Sequence, residues 1–190
     1  MDDLRATLVS QNPHKLAELR AVLADWELTP FAGGELPPEV GSTYYENARA
    51  KARFGWKHGG GYGWVLGEDS GIEASALGGR PGIASARWAE DGVARLLTEL
   101  EDRQDRRARY VCELVALLPS GEELRGRGTL EGRVAEEPRG REGFGYDPIF
   151  VPDGETQTVA ELGNAWKAEH SHRARAAQTL AAAIAAGRSW

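Results

Sequence analysis

Leu4-Arg5-Ala6-Thr7-Leu8-Val9-Ser10, followed by Gln11-Asn12-Pro13-His14-Lys15, is the stretch on which the reading of the fold turns. The first seven residues read as a buried strand. Asn12 then supplies a helix cap, and Pro13 sits at the first helical position, where a missing N–H costs nothing. Leu16, Leu19, Val22 and Leu23 recur at helical spacing and stop near Asp25, and Trp26 to Phe31 reads as extended again. Strand, tight turn, helix and second strand open an α/β fold.

Working outward, Gly33 to Gly41 is a Gly/Pro-rich connection. Thr43-Tyr44-Tyr45-Glu46 has capping-box spacing and predicts a second helix toward Trp56, with Gly59-Gly60-Gly61 as its stop. Trp64 to Gly67 predicts a short strand leading into Glu68-Asp69-Ser70-Gly71, and Gly78 to Gly82 a loop. Asp91 caps a third helix striped by Val93, Leu96, Leu97 and Leu100, and the charged run Glu101 to Arg109 reads as a solvated linker. Tyr110 to Leu118 and Glu123 to Ala135 predict an antiparallel hairpin turning at Pro119-Ser120-Gly121. A glycine-rich loop (Arg139 to Asp147), a strand (Pro148 to Val151) and a final helix from about Ser171 to Ala186, stopped by Gly187, complete the chain. The expectation is one α/β domain over residues 1–190 with a mixed sheet.

Composition narrows the function classes. One cysteine, Cys112, permits neither an intramolecular disulfide nor a cysteine-rich zinc site and fits a reducing cytosol. The N-terminus has no basic segment followed by a long apolar stretch, so a soluble, cytoplasmic protein without membrane contact is expected. A net charge of −6 argues against polymeric nucleic acid as partner but leaves room for a small polyanion held with a metal. The chain uses 19 arginines but only four lysines, and Lys15, Lys51 and Lys167 each fall in a motif that could carry chemistry.

The first motif is Ser10 to Lys15, where backbone N–H groups at a helix start offer a phosphate seat; the same residues also fit a plain cap with a solvated lysine. In the second, Glu46 and Lys51 could face one cleft, although Glu46 equally fits a capping glutamate. The third, Glu68-Asp69-Ser70, sets adjacent carboxylates at a strand end, which suits magnesium or an acidic turn. In the fourth, Phe144-Gly145-Tyr146-Asp147 could stack a base and accept its N–H protons, or pack as a turn. Lys167, His172 and Arg173 put cations near a helix start, against its dipole, which an anionic or carbonyl-bearing ligand would compensate. His170 and His172 alone are weak evidence for zinc.

Taken in order, TYYENARAKA, EDSGI, ALGGRPGIASARW, GFGYDPIF and the C-terminal SHR resemble the inosine/xanthosine triphosphate pyrophosphatase family across nearly the whole chain. The resemblance implies a two-lobed α/β fold around a long mixed sheet, with the active site in the cleft between lobes, and a homodimer. It implies a magnesium-dependent enzyme that hydrolyses non-standard purine nucleoside triphosphates (ITP, dITP, XTP) to monophosphate and pyrophosphate. Position by position it assigns Glu46 and Asp69, with Glu68 as an additional candidate, to Mg2+, and Asp69 to activating water. Ser10, Gln11, Asn12, Lys15, Lys51 and Ser70 fall to phosphate; Phe144, Gly145, Tyr146, Asp147, Lys167, His172 and Arg173 fall to base and ribose. Two positions depart from the usual pattern: Gln11 replaces a glycine, and Glu68 an aspartate. Competing readings are a nucleotide-binding sensor of the same fold that has lost turnover, and a septum-inhibitor-type pyrophosphatase acting on modified pyrimidine nucleotides. If the donor-only Arg173 faced the purine 6-position, the 6-oxygen of inosine would be favoured over the amino group of adenine.

Overall fold

The structure, a computed structural model, describes residues 4–59 and 63–187. Six strands form one open sheet in the order β2-β1-β3-β4-β5-β6. Strand β1 (Leu4–Val9) is followed by helix α1 (Pro13–Val22) and β2 (Trp26–Pro30), which returns parallel to β1. A loop and helix α2 (Tyr44–His58) lead to β3 (Trp64–Ala74), parallel to β1 on its other side. The remaining pairs are antiparallel: β4 (Arg107–Leu117), β5 (Glu123–Val134) and the short β6 (Phe150–Pro152). Helix α3 (Gly92–Glu99) precedes β4, and α4 (Val159–His170) and α5 (His172–Gly187) close the described chain. Among the described residues no helix is long and apolar enough to cross a membrane.

Of three apolar clusters among the described residues, the two largest mark two lobes. One joins Leu8, Leu19, Leu28, Leu66 and Leu114 to Ala176, Leu180 and Ile184 of α5. The other joins Ile72, Leu96, Leu100, Tyr110 and Phe150 to Val159 of α4. The opening stretch folds as its pattern dictates: the Asn12 side chain accepts from the backbone N–H of His14 and Lys15, with Pro13 in the first turn.

Four sequence expectations change. Strand β3 does not stop at Gly67 but runs to Ala74, so Glu68, Asp69 and Ser70 lie inside a strand and not in an acidic turn. Polar residues there read as a break, but both faces of the strand are covered and each acid finds cations. The pairing with β1 does end at Val9–Gly67, so both acids still lie just beyond the carboxyl end of β1, where α/β sheets bind ligands. Residues Arg107 to Arg109 belong to β4 and not to a solvated linker, because Ala108 points inward between two outward arginines. The last predicted strand is shifted, with Asp147–Ile149 forming a 3-10 turn before β6. Helix α4 went unread, although Thr158 and Glu161 form a reciprocal capping box at its start; Gly163, at φ 87°, breaks its regular pattern. Gly60 and Gly61 of the predicted helix stop lie outside the described residues.

Candidate active site

Successive residues of β3 point to opposite faces of the sheet, so Glu68 and Asp69 enter different environments. On the face covered by α1 and α5, Glu68 is fully buried. Its Oε2 lies 2.6 Å from Lys15 Nζ, and its Oε1 accepts from Arg173 Nη2 at 3.0 Å and Nε at 3.2 Å. Burial alone would raise its pKa; Lys15, then Arg173 and Lys51, outweigh that and hold the carboxyl well below the usual range. Arg173 Nη2 also donates to Ser70 Oγ at 2.9 Å, and Nη1 to Glu18. Glu18 reaches Lys167 with its other oxygen, and Lys167 Nζ donates to Asp147 Oδ2 at 2.6 Å. A chain of alternating charges therefore runs from Lys15 to Asp147. Helix α5 comes close enough to present His172 and Arg173 because β5 is thin beneath it: a Cβ on Gly128 would lie 2.1 Å from the His172 carbonyl oxygen.

On the opposite face, Asp69 accepts from Asn47 Nδ2 at 3.0 Å and lies 3.6 Å from Lys51 Nζ. Lys51 also donates to the Glu68 carbonyl oxygen at 3.0 Å and pairs with Glu39 Oε1. Asn47 and Lys51 are one helical turn apart and share a face of α2. Gly67 lets that face approach, since a Cβ there would sit 1.9 Å from the Ala48 carbonyl oxygen. Burial dominates at Asp69 and, with Glu68 and Glu39 adding repulsion against Lys51 and Asn47, pushes its pKa up to about 6.

Lys15, Asn12, Ser70, Phe144, Lys167, His172 and Arg173 line one cavity of about 520 Å3, within the range of small-molecule sites, between the two lobes. Gly145, Tyr146 and Asp147 line it too, with Tyr146 donating to the Ser85 carbonyl oxygen at 3.0 Å. Lys167 Nζ stands 4.7 Å from the Phe144 ring centroid, and His14 stacks on that ring at 5.1 Å. His172 is buried, which, with the Arg173 charge, holds its pKa well below the usual value and keeps the imidazole neutral. Its Nδ1 has no hydrogen-bond partner among the described residues.

Not every expected residue joins this cavity: Asp69 and Lys51 meet each other under α2 but do not line it. Glu46 is exposed and accepts at Oε2 from the Ser42 N–H and hydroxyl at 2.6 and 2.7 Å. It is not brought to Asp69, because residues 46 and 47 point about 100° apart on the helix and Asn47 takes the inward place. Glu68 is buried between Lys15 and Arg173, on the other face of the strand from Asp69. Ser10 Oγ accepts from the Asn12 N–H at 3.1 Å; Gln11 is exposed and, like every described non-glycine residue, has negative φ, so the usual glycine is not needed for the turn. Arg173 is tied to three oxygen-bearing side chains and has little left to offer a purine 6-oxygen.

Three residues were missed in the sequence. Glu39 places a carboxylate beside Lys51 and within electrostatic reach of Asp69; nothing in Pro37-Pro38-Glu39 signals it. Glu18 could have been found, since it lies three residues past Lys15 on the same helix face. Tyr110 donates to Asp147 Oδ1 at 3.2 Å and reads from sequence only as a strand residue.

The geometry describes an α/β protein with an interlobe cleft for a small anionic ligand. The chain belongs to the Ham1 family, whose profile matches residues 6–183. It is 45% identical to a dITP/XTP pyrophosphatase of Symbiobacterium thermophilum, over 93% of this chain and 92% of that protein. The Ham1 protein of Staphylococcus aureus superposes with a TM-score of 0.84 at 32% identity, covering 97% of this chain and 100% of the other. A nucleoside-triphosphatase, dITP/XTP pyrophosphatase, of Mycobacterium abscessus superposes with a TM-score of 0.71 at 38% identity and 98% coverage of both chains.

Proposed function

We propose that this chain hydrolyses non-standard purine nucleoside triphosphates, dITP, ITP and XTP, to the monophosphate and pyrophosphate. The observation that carries the reading is the single cavity in which Lys15 and Lys167 meet an aromatic ring and a neutral histidine. Cations suit phosphates; a ring and a neutral imidazole suit a base. The names of the family relatives support the same substrate class.

Mg2+ is the cofactor in this reading. Among the described residues no three His, Cys, Asp or Glu side chains gather as a metal cluster, and magnesium does not need three: it takes one or two carboxylates and fills the rest with water and phosphate. Asp69 and Glu39, both against Lys51, fit that donor set better than Glu46 does. When bound, magnesium would neutralise charge on the phosphates. Asp69, ionised above about pH 6, takes the proton from the water that attacks the α-phosphorus. Lys15 and Lys51 meet the charge that develops on the departing pyrophosphate. A cytoplasmic homodimer is part of the same proposal and rests on the family resemblance.

The test is turnover of dITP, ITP, XTP and ATP, each with and without Mg2+, with monophosphate and pyrophosphate measured separately. Equimolar products from the first three, and at least about a hundredfold lower kcat/KM for ATP, are expected. Tight binding of ITP without either product would favour the sensor, and orthophosphate as first product would exclude attack at the α-phosphorus.

A further inference from the structure

Tyr110 stands in the wall of the cavity with its ring nearly parallel to that of His172, centroids 4.5 Å apart at 10°, and against Phe150 on β6 at 4.5 Å and 46°. Its hydroxyl donates to Asp147 Oδ1, while Asp147 Oδ2 accepts from Lys167 Nζ and from the Phe144 N–H at 2.8 Å. His172 lacks what normally fixes an imidazole, a hydrogen bond on the ring nitrogen opposite the working one. The buried Nδ1 has no hydrogen-bond partner among the described residues, so nothing polar anchors the ring on that side and its plane must be held by packing. Stacking on Tyr110 is the contact that sets that plane. Tyr110 is itself held by Phe150 and Asp147, so the phenol links the imidazole to the carboxylate.

We propose that Tyr110 is a positioning residue for base recognition, its ring fixing the plane of the His172 imidazole and its hydroxyl the Asp147 carboxylate. The inference rests on the purine-pocket reading above. Burial, reinforced by the Asp147 charge, raises the phenol pKa well above its usual value, so the hydroxyl remains a donor at any working pH. The hydrogen bond and ring contacts of Tyr110 are with Asp147, His172 and Phe150, so its loss weakens the base end of the substrate and spares the phosphate end.

The test compares Tyr110→Leu, which removes the flat ring, with Tyr110→Phe, which keeps it. Steady-state kinetics with ITP, competitive inhibition by inorganic tripolyphosphate and histidine ring NMR are read together with thermal melts. The chain has four histidines, which makes the His172 signal assignable with a His172→Gln reference. Tyr110→Leu should raise KM for ITP about tenfold with a much smaller change in kcat, leave tripolyphosphate inhibition in place, and remove the ring-current displacement of the His172 signal. Tyr110→Phe should recover the His172 signal and most of the ITP affinity. If the leucine variant does not fold, Tyr110→Met, which fills the space without a planar face, carries the same readouts. An unchanged KM in a folded variant, or equal losses for ITP and tripolyphosphate, overturns the assignment. A wild-type enzyme inert toward ITP overturns the underlying reading and this inference with it.

Discussion

Glu68 and Asp69 are neighbours in sequence and share one buried strand, yet the two faces of β3 treat them in opposite ways. The face under α1 and α5 gives Glu68 two cations and a pKa well below the usual range. The face under α2 gives Asp69 one lysine, shared with Glu39, and a pKa of about 6. A buried acid that is fully compensated holds structure; one that is under-compensated is held at some cost to the fold and stays available for a metal or a proton. Which acid does chemistry is therefore decided by the packing of helices on the sheet.

The largest expected effect breaks the pair on the Asp69 side. Asp69→Asn should lower kcat on the order of a thousandfold while leaving the fold intact, as measured by steady-state rates beside far-UV circular dichroism. Turnover within tenfold of wild type would remove Asp69 from the mechanism. Next in size is Glu68→Gln, which strands Lys15 and Arg173 in a buried site. Losing one partner of such a network costs about 3–5 kcal/mol, a drop in Tm of roughly 10 °C. A Tm within 2 °C of wild type would show that the charges on this face are not coupled as described. The same logic applies to Arg173→Ala: it uncovers Glu68 and Glu18 together, so its main effect should be lost stability and not altered preference between inosine and adenine.

A smaller effect sharpens the comparison through the backbone. Gly67→Ala sets a methyl group against the Ala48 carbonyl oxygen and pushes α2 off the sheet, at a cost of about 1–3 kcal/mol. It should reduce kcat by more than its Tm loss explains, because Asn47 and Lys51 withdraw from Asp69 while Lys15 and Arg173 stay on the Glu68 carboxylate. Equal behaviour of Gly67→Ala and a surface control in the activity assay would argue against that coupling.

The sequence carried the α/β class, the strand-Asn12-Pro13-helix opening and the glycine-rich loop ending at Asp147, because caps, glycines and periodicity act over a few residues. It did not show that β3 continues through Glu68 and Asp69, since two acids in a row resemble a turn until the cations that neutralise them are known. Those cations come from residues 15, 51 and 173, brought together only by tertiary packing. The contact of Glu39 with Lys51 was hidden for the same reason, because it joins residues far apart in the chain. Thr158 and Glu161 did carry a local signal for α4, obscured by the glycine at position 163.

The central claim, that Asp69 is ionised at a cost to the fold while Glu68 is ionised to its benefit, is tested most directly by the pH dependence of Tm for wild type and Asp69→Asn without metal or nucleotide. Between about pH 4 and 6 the folded protein holds the Asp69 proton more tightly than the unfolded chain does, so the charge costs stability above about pH 6 and the cost vanishes as pH falls toward 4. Glu68 has the opposite sign: its contribution is present above the ordinary carboxylate range and lost below it. Asp69→Asn should therefore melt higher than wild type at pH 7.5, by a few degrees, corresponding to about 2 kcal/mol, and the gap should close by pH 4.5. An Asp69→Asn protein that melts below wild type at pH 7.5, with a gap that does not change with pH, would contradict the account.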